Sequence, residues 1–358
     1  MKIACLISSL RLGGAEKQIV GLACMLKDVG NDVEVITYRE GNFFSDRLAA
    51  ASVPLVRIKS KGDLDIVRKI ADHLSEEAFE VLISFRAGTN LKACLVKRLH
   101  PSLKLVVSER NFNISYHFYD ALRLAFYRKY ADKVICNSFA QTEFINKYYP
   151  SLSARLVTIP NFVELDKFVP GSDMPASGRI VITARVCRRK NVLGLIAAAA
   201  DLKEAGEKFN VIWYGKNRNS KYLLKCLGLI RKRGLEGVFR IEDASKLTKN
   251  IYRDASVFCL PSFYEGTSNA ICEALASGLP VACSNVSDNA LYVVPGRNGA
   301  LFNPRDRTEL AEALRSLLHL SSERRKEMSA ASRRIAEENF SPDAFRSAYL
   351  NLLSGFKD

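Results

Sequence analysis

No stretch of the 358-residue chain holds the ~18 uninterrupted apolar residues of a membrane-spanning helix. The apolar N-terminus, MKIACLISSL, is short, lacks a small-residue cleavage site and runs straight into LRLGGAEKQ. It reads as a buried first strand rather than a leader, and the expected compartment is the cytoplasm. Histidine is scarce: the four residues, at 73, 100, 117 and 319, show no ligand spacing. The nine cysteines contain no CxxC pair and lie mostly in apolar runs such as DKVICNS and SVFCLPS, the pattern of reduced core thiols. No metal site and no cofactor are therefore expected. Also missing are GxGxxG, a Walker A loop, a recognisable nucleic-acid motif, internal repeats and low-complexity segments. Nucleic acid is not expected as a partner.

What remains is a globular composition, 48% hydrophobic and 25% charged, long enough for two domains. The net charge of +15 suits a polyanion, an anionic membrane surface or phosphate-bearing substrates, and does not choose among them.

The first half alternates short apolar runs with helical patterns. Strands are expected at 2–8, 32–38, 55–58, 81–84, 103–108 and 134–137, with a helix over 15–29 that stops at Gly30 and Asn31. This βαβα rhythm argues for a parallel, doubly wound sheet. It pauses over 159–178, where three prolines and two glycines fall within twenty residues, the best linker candidate. A second series follows, with strands at 179–183, 210–214, 237–241, 256–261 and 279–284 and helices at 191–205, 222–233 and 269–277. From Thr308 the chain is helical until Phe340-Ser341-Pro342, where Ser341 can cap a last helix that starts at Pro342.

Three loops carry candidate chemistry. After the first strand, Gly13 and Gly14 let a backbone approach a ligand, though a GG turn is equally compatible with an ordinary tight turn. After the first strand of the second series, Arg185, Arg188, Arg189 and Lys190 put four cations within six positions, at the sheet edge where α/β proteins bind ligands. The third loop is in LPSFYEGTSNAICEALASGLPV, residues 260–281. There Glu265, then the donor-rich Gly266, Thr267, Ser268 and Asn269, precede a helix that contains Glu273. A loop feeding a helix N-terminus is a natural anion site. Eight positions along loop and helix do not favour an acid–base pair across a glycosidic bond; the setting suits carboxylates that accept sugar hydroxyls.

These motifs resemble glycosyltransferase family 4, retaining enzymes of GT-B architecture, over nearly the whole chain. Glu265 to Glu273 resembles the family's E-x7-E motif, Arg185 and Lys190 its donor-phosphate pair, and Leu12–Glu16 its GGAE loop; Asn137-Ser138 and Ile159-Pro160-Asn161 fall where the family has similar stretches. The resemblance implies two Rossmann-like doubly wound parallel-sheet domains facing a central cleft: residues 1–165 on the acceptor side, 166–340 binding the nucleotide sugar, and a last helix, 341–358, packing back on the first domain. It also implies a hexosyl- or N-acetylhexosaminyl-transferase. Such an enzyme moves sugar from a nucleoside-diphosphate donor, UDP on family grounds, to a glycan or polyprenyl-linked glycan in cell-surface polysaccharide or lipopolysaccharide synthesis, without a metal. Arg185 and Lys190 would stabilise the leaving diphosphate, Glu265 would hold the donor sugar and Glu273 the ribose. Gly13, Gly14, Gly266, Thr267, Ser268 and Asn269 would line the donor site. The run Ser108-Glu109-Arg110-Asn111 is similar to a subgroup acting on lipid-linked or polysaccharide acceptors, which places Glu109, Arg110 and Asn111 on the acceptor side, together with Glu16 of the GGAE-like loop.

The chain departs from the family at Ala184, usually Gly, and at Thr267-Ser268, often Phe-Gly. No residue is assigned to the histidine that many members place near the reacting sugar; His117 reads as a surface or packing residue.

Residues 92–133 carry nine Lys/Arg against three Asp/Glu, and YHFYDALRLAFYRKY (116–130) interleaves rings with bases. That segment fits either a membrane interface or a core-facing helix with a solvated basic side. Two other functions share the motifs: a GT-B nucleotide-sugar epimerase, and a noncatalytic membrane-associated protein that binds nucleotide sugar.

Overall fold

The computed structural model describes residues 1–110, 118–171, 178–215, 221–244 and 248–356. The chain divides into two compact units, Met1–Pro160 with Asp343–Asp358, and Asn161–Pro342. Asn111 and His117 lie outside the described residues.

In the first unit the chain runs through β1 (Lys2–Leu6), α1 (Gly14–Asp28), β2 (Asp32–Thr37), α2 (Ser45–Ala50), β3 (Leu55–Arg57) and α3 (Asp63–Glu76). It continues through β4 (Val81–Phe85), α4 (Ala87–Leu99), β5 (Lys104–Glu109), α5 (Phe118–Tyr130), β6 (Lys133–Cys136), α6 (Phe139–Tyr148) and β7 (Leu156–Thr158). These strands form one parallel sheet in the order β3-β2-β1-β4-β5-β6-β7. The central strands are covered on both faces, so they read as unbroken apolar runs: every residue of β4 is buried. β7 was not foreseen. It is a three-residue strand at the sheet's edge, only half-buried throughout, and lacks the apolar signature of the inner strands. Gly30 ends α1 as expected: at φ 84° its N–H reaches Lys27 O, while Asn31 N–H reaches Leu26 O, a Schellman stop.

The second unit holds β8 (Arg179–Thr183), α7 (Val192–Glu204), β9 (Asn210–Tyr214), α8 (Lys221–Lys232), β10 (Phe239–Glu242), α9 (Thr248–Arg253) and β11 (Val257–Leu260). Then come α10 (Asn269–Ala276), β12 (Val281–Ser284), α11 (Asn289–Tyr292), β13 (Gly299–Phe302), α12 (Arg307–Leu318) and α13 (Ser322–Phe340). Its strands are also all parallel, in the order β10-β9-β8-β11-β12-β13. Trp213, Tyr252 and Phe258 are fully buried at its centre. Extended Ser341 then hands the chain to α14 (Pro342–Ser354), with proline at the first helical position. Phe345, Tyr349 and Leu353, four residues apart, bury one stripe of α14, and the ring of Phe356 just beyond it lies under Lys104 of the first unit.

Each sheet reverses its winding once. In the first the reversal lies between β1 and β4, in the second between β8 and β11. The carboxyl ends of those strand pairs are where an open α/β sheet leaves a crevice for a ligand. All nine cysteines are free, eight of them buried, and burial pushes the thiols of Cys5, Cys94 and Cys136 up to about 12. Among the described residues no helix is long and apolar enough to cross a membrane.

Candidate functional site

In the second unit the loop after β8 is fixed before its cations begin. Gly215 leaves β9 at φ 138°, and a Cβ there would lie 2.0 Å from Ala184 O. Only glycine allows so close an approach. Ala184 is held from both sides: its carbonyl accepts Trp213 Nε1–H at 2.6 Å and its N–H donates to Tyr214 O. Arg185 follows and is exposed. Arg188–Lys190 form one 3-10 turn, and Asn191, left-handed at φ 54°, caps α7 by accepting from Gly194 N–H.

This turn delivers Lys190 across the reversal point to the loop after β11. Lys190 Nζ lies 2.5 Å from Glu265 Oε1, and Arg189 Nη1 lies 3.1 Å from Glu265 Oε2. Burial would raise the Glu265 pKa, but Lys190 and Arg189 outweigh it and hold the carboxyl below its ordinary 4.5. Burial also lowers Lys190 below 10.5, with Glu265 opposing the shift. Phe263 N–H donates to Arg189 O, so the two loops are joined through backbone as well.

Beyond Glu265 the loop passes into α10. Asn161 Nδ2 donates to Thr267 O at 2.7 Å and to Asn269 Oδ1 at 2.6 Å, pinning the turn from more than a hundred residues earlier in the chain. Ser268 occupies the N-cap of α10, and its own hydroxyl makes no capping bond. Glu273, one turn into the helix and buried, accepts from Tyr252 OH at 3.0 Å. The Tyr252 proton is thereby committed, so the 2.6 Å contact with Thr183 Oγ1 has the threonine as donor. Burial first, then the Glu273 carboxylate, pushes the Tyr252 phenol well above 10.

The reversal point of the first unit holds a second ion pair. Gly13 is the N-cap of α1, and Glu16, three residues on, folds back over it; a Cβ on Gly13 would lie 2.2 Å from Glu16 Oε2. Gly14 is exposed at the first turn. Glu16 Oε1 accepts from Arg86 Nη1 at 2.8 Å. Arg86 follows β4 at φ 82°, ψ 136°, a conformation that costs a non-glycine residue about 1–3 kcal/mol and persists only where neighbours enforce it. Its own backbone is held at both ends: Arg86 N–H donates to Ser108 O at 3.2 Å, and its carbonyl accepts from Thr89 N–H at 2.9 Å and Asn90 N–H at 2.8 Å. Asn90 is buried in a network of its own, donating through Nδ2 to Ser108 O and to Tyr127 OH, both at 3.0 Å, and accepting at Oδ1 from Ser84 Oγ at 2.7 Å.

Glu109 belongs to that buried network. It is 1% exposed, accepts from Tyr127 OH, and lies 3.3 Å from Arg123 Nε, while Arg123 Nη2 lies 2.9 Å from Asp120 Oδ1. Its carboxylate therefore points into the unit. Arg110 is half-buried with its guanidinium 4.6 Å over the Phe85 ring, and desolvation lowers its pKa to about 10.

The structure thus joins Lys190 to Glu265 and Glu16 to the Gly13 turn, and puts Thr267, Ser268, Asn269 and Glu273 on one loop–helix junction beside Gly266. It brings in four residues that no motif singled out for a role: Arg189, Tyr252, Arg86 and Asn161. Arg189 was hidden in a basic run and Asn161 in a Pro-Asn pair; for Tyr252 and Arg86 the sequence offers no local signal, because their partners lie far along the chain.

A family model described as glycosyl transferases group 1 matches residues 175–335, and one described as Glycosyltransferase Family 4 matches residues 12–167. The chain belongs to the family 4 glycosyltransferases. This glycosyltransferase is 24% identical, over 100% of its length and 99% of the other, to a Campylobacter jejuni enzyme. That enzyme is named GalNAc-alpha-(1->4)-GalNAc-alpha-(1->3)-diNAcBac-PP-undecaprenol alpha-1,4-N-acetyl-D-galactosaminyltransferase. It is 27% identical to a D-inositol 3-phosphate glycosyltransferase of Corynebacterium urealyticum, over 52% of this chain and 49% of that one. Its fold matches that of Anabaena HepE in complex with UDP and glucose, with TM-score 0.88 at 17% identity over 99% of this chain and 100% of that one. The glycosyltransferase therefore has the GT-B fold.

Proposed function

We propose that this glycosyltransferase moves a hexosyl or N-acetylhexosaminyl group from a UDP-sugar, with retention at the anomeric carbon, to a glycan carried on a phosphorylated lipid. The observation that carries the reading is the Lys190–Glu265 pair at the reversal point of the second sheet, beside the start of α10. As the sugar leaves, negative charge grows on the nucleoside diphosphate. Arg185, Lys190 and the first N–H groups of α10 are fixed donors for it, and Glu265 keeps Lys190 aimed before substrate arrives. With these cations in place the reaction is proposed to need no metal. Glu265 retains lone pairs for a donor-sugar hydroxyl, and Glu273, ordered by Tyr252, takes the ribose. The UDP in the HepE structures and the undecaprenol diphosphate in the name of the Campylobacter relative support donor and acceptor class.

A second element of the reading is contact with an anionic membrane. Helix α5 buries Asp120 and Arg123 along with Leu124 and Tyr127, while Phe118 is 86% and Tyr119 50% exposed. Leu122 and Phe126 line a groove of about 610 Å³ with Arg98, Arg128 and Lys129. Rings beside bases suit the headgroup region.

A thermal-shift panel of nucleotide sugars tests the donor. Ligand at 100 times its Kd stabilises by about 2.7 kcal/mol. UDP-sugars should raise the midpoint and Lys190→Ala should abolish the rise. No shift with any nucleotide sugar overturns the reading; donor consumed without a glycan product would indicate an epimerase instead.

A further inference from the structure

We propose that Arg86, held by Glu16 across the reversal point of the first sheet, binds a phosphoryl group of the acceptor. The inference rests on the transferase reading for the word acceptor, but its residues lie wholly in the first unit.

The two reversal points are built alike. In the second unit a cation after the first strand, Lys190, meets a carboxylate after the partner strand, Glu265; in the first unit the carboxylate, Glu16, comes first and the cation, Arg86, follows β4. The pairs differ in exposure. Lys190 and Glu265 are both buried, whereas the Glu16 side chain is 7% exposed and that of Arg86 48%. A half-exposed pair contributes little to stability. The backbone at Arg86 would be better served by glycine. Folding therefore does not explain arginine here.

Chemistry does. A guanidinium has five N–H donors, and among the described residues this one gives a single hydrogen bond, from Nη1 to Glu16 Oε1. The side chain is 48% exposed, so its remaining donors are open to a ligand from solvent. Glu16 fixes one end of the fork, so little side-chain freedom is left to lose on binding. The same end of the sheet carries further cations in its loops: Arg110 follows β5, Arg39 lies beyond β2 and Arg11 beyond β1, while Glu109 is turned inward onto Arg123. A planar fork on a cationic rim matches a phosphate, which it can bind through two parallel hydrogen bonds. The phosphoryl group can come from a phosphate ester on a glycan or from the diphosphate that joins a glycan to a lipid.

The test is calorimetric titration of the full chain, saturated with UDP so that the second unit's phosphate site is filled. Methyl phosphate probes the ester source and geranyl diphosphate the lipid source. The wild type should bind at least one, and the stronger of the two names the source. Arg86→Gln should weaken that probe at least tenfold and Arg86→Lys by a smaller factor, with UDP affinity unchanged in both. Arg86→Gly keeps the backbone conformation and should lose the probe as Arg86→Gln does, which guards against a folding defect. Wild-type protein that binds neither probe, or Arg86→Gln that binds within twofold of wild type, overturns the proposal. So does binding of methyl glucuronide in preference to both phosphates. If UDP does not bind, the donor reading fails by itself; the same titrations, run on Lys190→Ala without UDP, then decide Arg86 alone.

Discussion

The ammonium of Lys190 sits 2.5 Å from Glu265 Oε1, although 75 residues separate them in the chain. Both side chains are buried, and the sheet order of the second unit brings them together by placing β11 beside β8. A lysine held this way is charged, oriented and only partly neutralised, ready to share its protons with an incoming diphosphate.

The pair has a pH signature. Glu265 is held below its ordinary 4.5, so its stabilising contribution is present above that value and is lost as pH falls through the lower, folded-state value. At about pH 7, Glu265→Gln should destabilise the protein by about 3–5 kcal/mol, because Lys190 is left buried without its counter-charge. In thermal melts the gap between variant and wild type should close on acidification below 4.5. A gap that stays constant through that range would mean that Glu265 does not hold Lys190. Lys190 has the opposite window. Its folded value lies below 10.5, so the cost of burying its charge is relieved as pH rises through that value, and the variant should recover stability at alkaline pH.

Gly215 should prove irreplaceable for a reason that Gly234 does not share. Both have positive φ, 138° and 62°, but a Cβ on Gly215 meets Ala184 O at 2.0 Å, whereas one on Gly234 meets only Lys203 Nζ at 3.8 Å. Each alanine substitution should cost at least about 1 kcal/mol of stability. Only Gly215→Ala should also weaken UDP, since it displaces the residue that launches Arg185. Equal nucleotide affinity in the two variants would show that the β8 exit does not position the loop.

The exposed face of α5 predicts salt-sensitive binding to anionic vesicles. Co-sedimentation of the full chain with phosphatidylglycerol vesicles should be strong at roughly 0.05 M salt and weak at roughly 0.5 M, where screening is short-ranged. Phe118→Asp should reduce it several-fold without moving the melting midpoint, since Phe118 is 86% exposed. Absence of binding at low salt would remove the membrane from the proposed function.

Much of this molecule is legible in the chain. Inner strands such as Val81–Phe85 are buried on both faces and appear as apolar runs; Gly30 marks its helix stop because only glycine takes φ 84° without cost. Loops at Gly13, Arg185 and Glu265 are marked by composition, since each must put polar or glycine residues directly after a buried strand. Edge strand β7 escaped because half-buried positions carry no such run. The orientation of α5 escaped for a different reason. Periodicity identifies a helix with two faces, but Arg123 faces inward because Glu109 of β5 is there to meet it, and Asp120 follows because it pairs with Arg123.

The sequence by itself determined two parallel α/β units, the place of their ligand-binding loops and the family, because period, turn chemistry and short motifs are local properties of a chain. Only the tertiary structure decided the partners. Glu265 took Lys190 and Arg189, Arg86 took Glu16, and Asn161 took the loop before α10, over separations of 70 to 108 residues. Sheet order selects those neighbours; for Lys190 and Glu265 the cost of leaving a buried charge unmatched then fixes the pair, and for Asn161 the cost of leaving a buried amide unbonded does.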